Sequence, residues 1–235
     1  MSKSHTQQWE VNEVGERPDA GLVAALGRFP TTQISDSGAP VSVLGPGLRP
    51  VTPTADFCGP AVTLWTRPGD ILFVLKCPDV VRSGDVVVID GGGRLDAAVI
   101  GDIVGGMLRD RGVAGRVVDG AVRDVDGLTE IGLPVIAAGT HPATGSNQGP
   151  GALNVPVTCA GSIVRPGDIV RADASGVVIV PAAAAEQVVG AAAAVDEREQ
   201  GWRKEVADGG SLTPVLDLDA TIRRGSAGSD PNPAP

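Results

Sequence analysis

The sequence predicts a mixed α/β fold with both parallel and antiparallel strand pairing. In the middle of the chain, runs rich in β-branched residues alternate with helical stretches, the order that builds parallel sheets; late in the chain, strands follow one another directly. Aromatic residues make up only 3% of the chain and Tyr is absent, so the core is assembled from Val, Ala and other small aliphatic side chains that suit tightly packed strands. A turn motif also recurs, at Arg67-Pro68-Gly69-Asp70, Arg82-Ser83-Gly84-Asp85 and Arg165-Pro166-Gly167-Asp168. Pro or Ser before Gly-Asp is turn chemistry, and the last two copies run into Val86-Val87-Val88-Ile89 and Ile169-Val170-Arg171.

The elements follow in order. Residues 1–18 read as an N-terminal extension, residues 19–210 as a single domain, and residues 211–235 as a tail whose composition from Gly225 onward, GSAGSDPNPAP, is that of disorder. A helix is expected over 19–29, then strands over 61–65 and 86–89. A helix over 102–111 precedes strands over 115–119 and 134–138. Strands are expected over 155–164, 169–171 and 176–180, before a helix from 182 to about 206, opened by Pro181 and strongly charged from Asp196. Gly120 reads as the break that ends the 115–119 strand, and Gly91-Gly92-Gly93 as a turn, since no P-loop Lys-Ser or Lys-Thr follows.

Composition excludes several functions. With 235 residues and 42% hydrophobic content there is enough chain for a sizeable core. A net charge of -9 without a basic cluster argues against nucleic acid as a partner. Cys58, Cys77 and Cys159 are odd in number and show no CxxC spacing, so they read as buried thiols of a reducing compartment. Neither a signal-peptide core nor an apolar stretch of membrane-spanning length is visible, and a cytoplasmic protein without a membrane partner is expected. No GxSxG elbow is present, and the two histidines, His5 and His141, read as a terminal residue and a solvent-exposed loop residue.

The candidate chemistry lies in two segments, Gly101-Asp102-Ile103-Val104 and Arg123-Asp124. A helix opening at Asp102 points its first-turn amides at whatever precedes it and favours an anion. One helix and one strand separate the segments, so the chain returns Arg123-Asp124 beside the helix start. Arg holds a carboxylate by two parallel hydrogen bonds, and a carboxylate beside it holds a hard divalent ion. The bland alternatives are a helix cap at Asp102 and a surface ion pair at Arg123-Asp124.

The run from Asp90 through Gly139, with Asn154-Val155-Pro156-Val157, the Pro-Gly-Asp turn at 166–168 and Gly176-Val177-Val178-Ile179-Val180-Pro181, resembles the family containing the regulator of ribonuclease E activity A and the class II pyruvate aldolases. The likeness covers roughly residues 20–210, and Asp102 with Arg123-Asp124 meets the aldolases' spacing of twenty intervening residues. The resemblance implies a β/β/α swivelling domain, related to phosphohistidine domains, in homotrimers or hexamers with sites at subunit junctions. It implies an enzyme that cleaves 4-hydroxy-4-methyl-2-oxoglutarate or 4-carboxy-4-hydroxy-2-oxoadipate to pyruvate and a second keto acid, with oxaloacetate decarboxylation as a side activity.

By the same resemblance, Arg123 binds the carboxylate of pyruvate, Asp124 ligates Mg2+ or Mn2+, and the amides around Ile103 and Val104, after Gly101, help hold the substrate. Asp102 orders water at the metal and relays a proton, and Glu199 reaches the site of a neighbouring subunit. One departure is Gly127, where the aldolases commonly carry an acid; Asp126 is adjacent. The alternative function is a non-catalytic regulator that docks on a ribonuclease or another protein. Regulatory members have lost the metal-ligating Asp that this chain keeps as Asp124. A phosphohistidine carrier would need a His at an active turn, and neither His5 nor His141 is so placed.

Overall fold

The structure, a computed structural model, describes residues 9–13 and 15–227. Strand β1 (Trp9–Val11) is followed by α1 (Ala20–Leu26), α2 (Thr31–Ser35), β2 (Ser42–Val43), β3 (Arg49–Pro50), β4 (Phe57–Thr66) and α3 (Leu72–Lys76). Then come β5 (Val86–Asp90), β6 (Ala98–Ile100), α4 (Asp102–Asp110), β7 (Gly115–Val122), α5 (Val125–Glu130), β8 (Val135–Thr140) and β9 (Gly151–Leu153). The chain closes with β10 (Val157–Cys159), β11 (Ser162–Val164), β12 (Ile169–Asp173), β13 (Gly176–Val180), α6 (Ala185–Ala207), α7 (Leu212–Val215) and α8 (Leu218–Ala227). The described residues divide into two compact units that part between Ala192 and Ala193.

The first unit is built on a mixed sheet of order β2-β13-β12-β4-β5-β7-β8-β3. Its centre, β4-β5-β7-β8, is parallel, and β12 and β13 extend it antiparallel. The central strands are buried almost end to end, the pattern of parallel strands covered on both faces. Side chains alternate between two cores: Val87, Ile89 and Val118 meet Val74, Leu108 and Leu128 of the helices on one face. Val86, Val88 and Val117 meet Val157, Cys159 and Val164 on the other. A third cluster packs α1, α2 and the first turns of α6 against β12 and β13.

The three Gly-Asp turns fold alike. Each Gly takes a positive φ, 77° at Gly69 and 85° at Gly84 and Gly167, the conformation that favours glycine. In each, the Asp amide donates back to the Arg carbonyl. The carboxylates of Asp85 and Asp168 then accept the Arg82 and Arg165 amides at 2.7 and 2.8 Å, closing the turn a second time. Asp70, fully buried, reaches further and accepts from Ser146 Oγ at 2.6 Å and from the amides of Leu72 and Gln148. Burial alone would raise the Asp70 carboxyl, but the hydrogen bond from Ser146 and those from the amides outweigh it and hold it below its usual range. The segment that carries Thr144 is thereby tied to the first turn.

The structure corrects the expected elements at three places. Residues 155–164 are not one strand but the hairpin β10-β11, turned by Ala160 (φ 44°) and Gly161 (φ 85°) with Cys159 opposite Ser162. β7 does not stop at Gly120; it runs to Val122 through a register shift between Val118 and Ala121. The expected tail is helical through Ala227, while residues 228–235 lie outside the described residues. From Trp9 the N-terminal extension is packed as well, β1 pairing with β9 and Arg17 meeting Asp85 at 2.8 Å.

Two further sequence expectations meet the structure here. Cys77 and Cys159 are buried and Cys58 is half-buried; burial pushes the Cys58 thiol up to about 11 and the Cys77 thiol up to about 12. Among the described residues, no helix is long and apolar enough to cross a membrane.

Candidate active site

The site forms where the C-terminal ends of β6 and β7 meet the start of α4. β6 is all apolar and buried, and it lies parallel to the last residues of β7. Gly101 follows in extended backbone, and α4 begins at Asp102; the first helical bond runs from the Gly105 amide to the Gly101 carbonyl at 2.9 Å. The amides of Asp102, Ile103 and Val104 thus precede the helical ladder and point outward, with the positive end of the helix dipole behind them.

Arg123 leaves the end of β7 stitched on both sides. Its amide donates to the Ile100 carbonyl at 3.0 Å, and the preceding carbonyl, of Val122, accepts from the His141 amide at 2.9 Å. Asp124 takes a left-handed conformation, φ 55° and ψ 47°, which Asp tolerates better than most residues, and this reverses the chain into α5. The Arg123 Nε lies 3.3 Å from Asp124 Oδ2, with the two side chains 35% and 39% exposed. Both therefore remain open to a ligand.

Two glycines make the convergence possible. A Cβ at Gly101 would overlap Asp124 Oδ2 and lie 3.1 Å from Arg123 Cγ and 3.2 Å from its Nε. Gly127, in α5, faces Asp102: a Cβ there would sit 2.9 Å from Asp102 Cβ and 3.0 Å from its Oδ2. The position where an acid was expected is thus occupied by the side of Asp102 itself.

A cleft of about 110 Å³ is lined by Gly101, Asp102, Ile103, Val104, Arg123 and Asp124, closed by Ile71, Val74 and Leu75 and by Thr144. The two sequence segments are therefore brought to one place. Glu199 is on the second half of α6, in the second unit, where it pairs with Arg203 at 2.6 Å. His141, expected to be exposed, is half-buried and lines a second cavity of about 250 Å³ that shares Arg123 and Asp124 with the first.

Among the described residues, no group of three or more His, Cys, Asp or Glu side chains is assembled to hold a metal. A cation here would have Asp124 as its protein ligand and water and substrate oxygens for the rest. That donor set fits Mg2+ or Mn2+, hard ions that keep several waters and need only one or two carboxylates.

Comparison with known proteins gives a consistent result. The family model described as RraA-like, Aldolase/RraA, matches residues 31–179. A relative from Halalkalibacterium halodurans named "putative 4-hydroxy-4-methyl-2-oxoglutarate aldolase" is 36% identical over 161 residues, 68% of this chain and 77% of the relative. An uncharacterized Pseudomonas syringae protein of known structure superposes with a TM-score of 0.75 at 28% identity, covering 85% of this chain and 98% of that one. Streptomyces coelicolor RraAS2, described as an unusual member of the RNase ES inhibitor RraA family, superposes with a TM-score of 0.72 at 32% identity, covering 80% of this chain and 98% of that one.

Proposed function

The chain belongs to the RraA-like, Aldolase/RraA family, and from that premise we propose that it is a divalent-metal-dependent aldolase. Its substrate would be a 4-hydroxy-2-oxo acid that carries a carboxylate on C4, such as the diacid 4-hydroxy-4-methyl-2-oxoglutarate or the triacid 4-carboxy-4-hydroxy-2-oxoadipate. The carrying observation is that one cleft holds a guanidinium, the outward amides of a helix start and a carboxylate suited to a hard cation.

In this account the C1 carboxylate of the substrate accepts two parallel hydrogen bonds from Arg123 and further ones from the Ile103 and Val104 amides. Its keto oxygen faces Asp124, which would hold Mg2+ or Mn2+. The ion supplies Lewis-acid polarisation of that oxygen when bound. Asp102, against Gly127, relays the proton taken from the 4-hydroxyl. The C3–C4 bond then breaks: the hydroxyl carbon becomes the carbonyl of the second keto acid, and the bond's electrons pass to the pyruvate enolate. Protonation at C3 completes pyruvate. Oxaloacetate decarboxylation follows from the same enolate, with CO2 leaving in place of a keto acid.

We place the enzyme in homotrimers or hexamers, with Glu199 completing a neighbouring subunit's site. The second reading is a regulator without catalysis, favoured by the likeness to RraAS2; Asp124 beside Arg123 in one cleft, a pair that docking on a protein does not require, speaks for the enzyme. A pyruvate-release screen over both 4-hydroxy-2-oxo acids and oxaloacetate, coupled to lactate dehydrogenase, tests the proposal. Release with Mg2+ that Arg123→Ala abolishes supports the aldolase. A wild-type protein releasing no pyruvate from any of the three leaves the regulator.

A further inference from the structure

We propose that His141 binds the distal carboxylate of the diacid and so selects diacids over monoacids; the inference rests on the aldolase reading of this site. Arg123 and Asp124 form a wall common to two cavities. The amides of α4 open on the first, which suits the C1 carboxylate. The distal carboxylate of 4-hydroxy-4-methyl-2-oxoglutarate hangs on C4, its carbon the third beyond the keto carbon, and needs a donor of its own. The second cavity shares Arg123 and Asp124 with the first and is otherwise lined by Val122, Val125, Thr140, His141 and Pro142. His141 is the one side-chain N–H donor on its lining besides Arg123.

The ring is built to donate. The Ala143 amide donates to His141 Nδ1 at 3.2 Å, so the neutral imidazole carries its proton on Nε2. Its place is fixed by the sheet: Thr140 is the register partner of Val122, and the His141 amide donates to the Val122 carbonyl at 2.9 Å, one residue before Arg123. The nearby Asp96 is ion-paired with Arg94, so its charge does not stand uncompensated against an incoming carboxylate.

The test compares 4-hydroxy-4-methyl-2-oxoglutarate with 4-hydroxy-2-oxopentanoate, in which hydrogen replaces the distal carboxylate. Steady-state pyruvate release is measured with Mg2+ for the full-length wild type, His141→Ala and His141→Gln. His141→Ala is expected to raise KM for the diacid about 10- to 100-fold, the range for one hydrogen bond to a charged group. Its kcat, and its KM for the monoacid, stay at wild-type values, and His141→Gln, which restores an N–H donor, recovers part of the diacid affinity. An unchanged diacid KM, or equal increases on both substrates, overturns the assignment while leaving the aldolase intact. Absence of pyruvate from both substrates in the wild type overturns the aldolase reading and the His141 assignment with it.

Discussion

Gly101→Ala is the smallest change that should disable the site. Its backbone, φ -137° and ψ -164°, is extended and suits any residue, so the substitution introduces no backbone strain. The new methyl group has nowhere to go. It overlaps Asp124 Oδ2 and stands 3.1 Å from Arg123 Cγ and 3.2 Å from Nε, where unstrained contacts run at about 3.5–4.0 Å. Relief requires the carboxylate and the guanidinium to move outward together. A displacement on the order of 1 Å at a positioning group costs about 100-fold in rate. Overpacking typically costs the fold about 1–3 kcal/mol. The assay pairs pyruvate release with thermal unfolding: kcat/KM should fall about 100-fold while the protein stays folded. Wild-type activity in Gly101→Ala would refute the idea that Arg123 and Asp124 act from these positions.

Two other consequences concern stability. Arg116, on β7, is completely buried and its guanidinium nitrogens have no hydrogen-bond partner among the described residues; burial pulls its pKa down to about 10. Near neutral pH the group is charged and its desolvation penalty is fully present; it fades only as pH rises above about 10, so Arg116→Met should stabilise the fold by on the order of 3 kcal/mol, read by urea denaturation at pH 7.5. Lower stability than wild type would mean that the guanidinium has a partner. Asp70, held below its usual range, contributes stability above its unfolded-state pKa that is lost as pH falls through its depressed folded value; Asp70→Asn should cost about 1.5–3 kcal/mol at pH 7 and progressively less in acid. A loss that does not shrink as pH falls toward 3 would assign the effect to packing instead of charge.

What could be read in the sequence, and what could not, divides along physical lines. β7 was legible to Asp119 because its β-branched run is dense; its last residues were not, because Gly120 reads as punctuation when it stands in a bulge. The 155–164 hairpin stays hidden because Gly161 is its lone turn signal: Ala160 beside it takes the other left-handed position, where Asn or a second Gly would announce a two-residue turn. α5 lacks a side-chain cap, since Asp124 starts it by its backbone conformation alone. Asp102 and Arg123-Asp124 were legible because one helix and one strand is the length that returns the chain to its starting end. His141 looks exposed from the sequence because its neighbourhood to Arg123 comes from the parallel register of β7 and β8, which local pattern does not encode. Gly127 stands out in the sequence as a missing acid, but its meaning, room for Asp102, comes from the packing of α5 against α4.

In the proposed aldolase, Asp124 would hold the divalent ion on which pyruvate release depends. The most direct test is Mn2+ binding and pyruvate release measured side by side on the wild type and Asp124→Asn, each stripped with chelator and then titrated with the ion. The wild type should bind Mn2+ and regain activity in parallel, whereas Asp124→Asn, equally folded, should do neither. Full metal-stimulated release by Asp124→Asn, or release by the stripped wild type, would contradict it.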